Sequence, residues 1–131
     1  MTKLAPSAPE IEAFAEAALK QLPAPFLTEA LSVGLVVDEF PSDEVLDELG
    51  IEDPFELTGM YEGTPLTERS FAAQDTRPPL IWLFRRAILE EWIERGDVEL
   101  ADLVAHVVVH ELAHHFGWSD DDIATIDKWW E

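Results

Sequence analysis

The chain has 131 residues, 47% of them hydrophobic, and a formal charge of −20 with only 8 Lys and Arg. That length and apolar content suffice for one ordinary core, and the acidity argues against nucleic acid or an anionic membrane as partner, because phosphate binding needs clustered cations that release counterions. The absence of cysteine excludes disulfides and thiolate metal sites, and with neither an apolar run long enough to span a bilayer nor a secretory-type N-terminus, a cytoplasmic protein is expected.

Residues 1–9 form a Pro/Ala-rich tail expected to be flexible, and residues 10–131 a single domain, since no Gly/Ser-rich linker or break in composition divides them. An amphipathic helix is expected over residues 10–21, ended by Pro23 and Pro25. Residues 31–40, which include Val33, Leu35, Val36 and Val37, read as a strand. Residues 42–49 read as a short capped helix stopped by Gly50, and 57–62 as a second strand closed by Gly63. Residues 64–79 are mostly loop. The pair Pro78 and Pro79 leads into 80–85, a third strand at the core or the edge of the sheet, followed by a helix over about 87–95. The class is α+β: a small mixed sheet packed by helices. Trp82, Trp92, Trp118, Trp129 and Trp130 are scattered and read as core packing rather than a binding platform, with Trp118, next to Gly117, the exception. Most of the acidity reads as solvated surface, toward which a basic peptide would be steered.

All four histidines lie between positions 106 and 115, and two of them frame His110-Glu111-Leu112-Ala113-His114, the H-E-x-x-H pattern of zinc-dependent hydrolases. On a helix a four-residue step turns about 400° and rises about 6 Å, so His110 and His114 project from one face and can share a metal. Glu111 lies about 100° further round, placed to act as general base on a water. Leu100, Leu103, Val104, Val107, Val108, Leu112 and Phe116 recur at three- and four-residue spacings, so the motif sits on a buried helix. Gly117 can adopt the left-handed conformation that ends it. A catalytic zinc takes three protein ligands and keeps one position open, and Asp120, just past the turn, is the candidate third ligand. Asp120 also suits the first turn of a following helix with Ser119 as N-cap and Asp122 in the capping-box place, a role compatible with ligation. Glu131 is the rival carboxylate. The ladder from His106 to His114 spans about 12 Å, too long for three imidazoles at bonds of about 2 Å, so His106 is not expected on the metal and reads either as a partly buried residue supporting the ligands or as one that reaches the substrate cleft. His115 points about 100° away from His114 and is expected to be structural.

Residues 110–120 fit H-E-x-x-H-x-x-G-x-x-D, which resembles the Asp-zincin signature and, more closely, the small bacterial zincin-like metallopeptidases once grouped as a domain of unknown function. Weaker likeness extends through residues 35–40, 57–63 and 80–86. The resemblance implies a minimal zincin-like fold with the H-E-x-x-H helix central, one Zn2+ held by His110, His114 and Asp120, Glu111 as catalytic acid/base, and a peptide or protein substrate. Tyr61 and Arg85 are candidate donors to the oxyanion, and residues 80–85 the candidate edge strand along which substrate lies. The third histidine and the Met-turn of metzincins are absent, Met1 and Met60 both preceding the motif. That departure leaves two other expectations open: a metal-bearing interaction module with little catalysis, or a peptidase whose cleft a protein partner completes.

Overall fold

The computed structural model describes residues 5–63 and 78–117. Along them run α1 (Ala8–Lys20), α2 (Ala24–Ala30), β1 (Gly34–Asp38), α3 (Asp43–Leu49), a 3-10 turn (Pro54–Glu56), β2 (Gly59–Glu62), β3 (Leu80–Phe84), α4 (Arg85–Arg95) and α5 (Leu100–Phe116). The class is the expected α+β. The sheet order is β1-β3-β2, with β1 parallel and β2 antiparallel to β3.

Local chemistry accounts for most boundaries. Helix α1 begins two residues earlier than expected because Ser7 caps it, its Oγ accepting from the Glu10 N–H at 3.3 Å. Pro23 and Pro25 do end α1, but they also open α2: the Pro23 carbonyl accepts from Phe26 and Leu27, and a fixed proline φ suits a first helical turn. Helix α3 follows expectation, with Ser42 accepting from the Val45 N–H and Gly50 left-handed at φ 68°. The first two strands are shorter than expected. Turn residues 31–33 precede β1, and before β2 Asp53 caps the 3-10 turn. Helix α4 starts directly at Arg85, with no loop after β3.

The position of β3 corrects an expectation. It lies between β1 and β2, so it is the central strand and offers no free edge to a substrate. Its Ile81 and Leu83 are wholly buried and pair in register with Leu35 and Val37 of β1 and with Tyr61 and Gly59 of β2. That face meets the core, where Ile11, Ala15 and Leu19 of α1, Ile88 of α4, and Val104, Val108 and Leu112 of α5 join it. Glu99, at the N-terminus of α5, makes no side-chain cap bond, a device worth about 1 kcal/mol. Each buried Leu or Val contributes about 1.5–3 kcal/mol, so the helix is held by its apolar stripe. The expected central placement of the motif helix is observed, with α5 packed against α1, α4, β2 and β3. No described helix is long and apolar enough to cross a membrane.

Candidate metal centre

The apolar stripe of α5 fixes the opposite, polar side of the helix. Along it His106, His110 and His114 form a ladder, with ring centroids 6.4 Å apart for the first pair and 5.6 Å for the second. One donor atom each from His110, Glu111 and His114 lies within 4.8 Å of the others, the one such cluster among the described residues. His106 stays outside it and is exposed, lining a cleft of about 240 Å³ with Gly59, Arg95, His110 and Glu111. The two imidazole nitrogens suit zinc, with the Glu111 carboxylate beside them. Gly117, at φ 73°, ends α5 as expected and returns its N–H to the carbonyls of Ala113 and His114. Asp120, the neighbouring Asp121 and Asp122, the rival Glu131, and Trp118 all lie outside the described residues.

Glu111 is held from β2. Burial pushes its carboxyl above the usual carboxylate range, and the charge of His110 and a hydrogen bond donated by the Tyr61 peptide N–H offset part of that rise. Strand β2 comes this close because position 59 is glycine. A β-carbon there would sit 2.7 Å from Val107 Cγ1 and 3.3 Å from Glu111 Cγ. An isolated glycine inside a strand pattern is the sequence signal of such a close approach, and Gly59 carried it.

Two expected oxyanion donors are engaged elsewhere. The Tyr61 hydroxyl bonds His115 Nδ1 at 2.6 Å. Arg85 donates from Nε to the Pro6 carbonyl and from Nη1 to Glu39 Oε1, both at 2.7 Å, tying α4 to the N-terminal segment and to the residue following β1. His115 is fully buried, as a structural residue should be, and its Nε2 bonds Glu29 Oε1 at 2.8 Å. A larger hollow, about 500 Å³, opens on the other face of the sheet around Phe40, Met60 and Trp82. It contains no histidine, so the chemistry of the H-E-x-x-H face is not repeated there.

No curated protein matches the chain. A family model for zincin-like metallopeptidases matches residues 30–130. Because that match covers most of the sequence and takes in the whole motif from His110 to Asp120, the chain belongs to the zincin-like metallopeptidase family.

Proposed function

We propose that the protein hydrolyses peptide bonds, using one zinc ion held by His110, His114 and Asp120 and Glu111 as general base. The observation that carries this reading is the convergence of the His110, Glu111 and His114 donor atoms within 4.8 Å on one side of α5. Bound zinc would supply Lewis acidity, lowering the pKa of a water and polarising the scissile carbonyl. Glu111 takes the proton of the attacking water and passes it to the leaving amine.

Substrate lies along β2 rather than β3. Thr58 accepts from the Phe84 N–H, so by the alternation of an antiparallel ladder the Gly59 peptide groups turn to the outer edge, where the Tyr61 N–H is given to Glu111 and Gly59 is the residue that meets the substrate main chain. An extended peptide adds to such an edge through main-chain hydrogen bonds, which brings a carbonyl past the motif helix.

The test combines metal analysis with cleavage of a peptide library, with Glu111→Gln as control. The wild-type chain should carry one zinc and cleave only when metal-loaded, while the variant keeps zinc and loses turnover. Undiminished cleavage by Glu111→Gln removes the general-base assignment. Stoichiometric zinc without cleavage by the wild type favours the metal-bearing interaction module instead.

A further inference from the structure

His115 is the one buried polar residue among those described, and both of its ring nitrogens are bonded. Its partners come from distant parts of the chain, Tyr61 on β2 and Glu29 on α2, separated from it by 54 and 86 positions. An ionised carboxylate can only accept, so Nε2 carries the proton that goes to Glu29. In the neutral imidazole Nδ1 then accepts from the Tyr61 hydroxyl. Each group has a defined role, so the trio also fixes the orientation of the Tyr61 side chain.

Tyr61 faces two ways. Its hydroxyl reaches His115, and its peptide N–H reaches Glu111, one helical turn earlier on the same side of α5. The α2 end of the chain of contacts is anchored as well, because Phe26 packs edge-on against Phe116 with ring centroids 5.6 Å apart. Gly59 leaves no side chain between β2 and the helix, so the strand's position over Glu111 depends on what holds it from either side. An apolar side chain at position 115 would fill the same space without the cost of burying an imidazole, but it would remove the acceptor that the Tyr61 hydroxyl uses.

We infer that Glu29, His115 and Tyr61 are positioning residues, a hydrogen-bonded tether that holds β2 on α5 so that the Tyr61 peptide N–H stays aimed at the Glu111 carboxylate. The consequence for turnover rests on the general-base reading above, whereas the tether itself does not.

Two readouts on the full chain separate these. In the metal-free protein, amide hydrogen exchange at position 61 is followed by NMR in wild type, Tyr61→Phe, Glu29→Ala and Glu29→Gln. Exchange there should be faster by about tenfold or more in Tyr61→Phe and Glu29→Ala, with the core amides of α5 unchanged, and Glu29→Gln, which keeps an acceptor, should restore protection. With zinc supplied, the first two variants should bind the metal like wild type yet show a kcat lower by about tenfold at unchanged KM, and Glu29→Gln should recover it. Unaltered exchange at position 61 in folded Tyr61→Phe and Glu29→Ala overturns the inference, as does a uniform loss of protection along α5. If the wild-type chain shows no turnover, the proposed function fails while the exchange data still decide the tether.

Discussion

Gly59 and Glu111 are in contact range through backbone alone: a β-carbon built on Gly59 would lie 3.3 Å from Glu111 Cγ and 2.7 Å from Val107 Cγ1. Val107 belongs to the packed side of α5 and cannot retreat cheaply. Gly59→Val should therefore push β2 off the helix and cost about 1–3 kcal/mol, the usual penalty of overpacking. Because β2 also donates to Glu111, turnover should fall further than the loss of folded protein explains. Chemical denaturation and kcat measured on the same preparation check both. A variant with wild-type stability and wild-type kcat contradicts the close approach.

The environment of Glu111 opposes its ionisation. Desolvation raises its proton affinity, and His110 and the Tyr61 N–H recover only part of the difference. The folded metal-free chain thus holds this proton more tightly than the unfolded chain does. That preference favours the fold in full below the unfolded carboxyl pKa and is lost as pH rises through the raised folded value. Glu111→Gln cannot ionise and escapes the loss. Without metal its Tm should exceed that of wild type at about pH 7 and converge with it below about pH 4, where both side chains are neutral. Thermal melts across that range decide the matter, and a variant that melts lower than wild type at neutral pH contradicts it.

How legible the fold was depended on how local its causes are. Helix α5 and its end at Gly117 could be read because apolar spacing and a left-handed glycine are written in consecutive residues, and Ser42 and Gly50 bounded α3 for the same reason. Helix α2 was hidden because Pro23 and Pro25 read as terminators, although proline serves equally well in a first turn. The central place of β3 was not readable. An apolar run such as residues 80–84 suits a middle or an edge strand, and pairing with β1 and β2 decides between them. At the site, the rotation per residue already turned His115 away from His114, but nothing local named Tyr61 and Glu29 as its partners.

Asp120 carries the third-ligand assignment through the H-x-x-G-x-x-D spacing that follows Glu111. Replacing it by alanine should weaken zinc binding by more than the roughly 10–100-fold typical when a group behind a ligand is lost. Asp121→Ala, Asp122→Ala and Glu131→Ala should change affinity much less. Competition titration with a chromophoric chelator ranks the four variants. If Asp120→Ala binds zinc like wild type, the largest effect among the other three identifies the ligand.

The two histidines should govern stability as well as metal content. A ligand that binds only the folded state stabilises it by RT ln(1 + [L]/Kd), about 4 kcal/mol at a thousandfold excess over Kd. Zinc should therefore raise the Tm of the wild-type chain in a concentration-dependent way, and a chelator should reverse the shift. His110→Ala and His114→Ala should each abolish that response. Metal-free, they should melt close to the metal-free wild type, because neither imidazole is part of the apolar packing that holds α5. His106→Ala, one turn outside the donor cluster, should keep the zinc response in full. A zinc-dependent Tm that survives loss of His110 or His114 but disappears with His106 would move the ion one helical turn toward the N-terminus of α5, away from Glu111 as its general base.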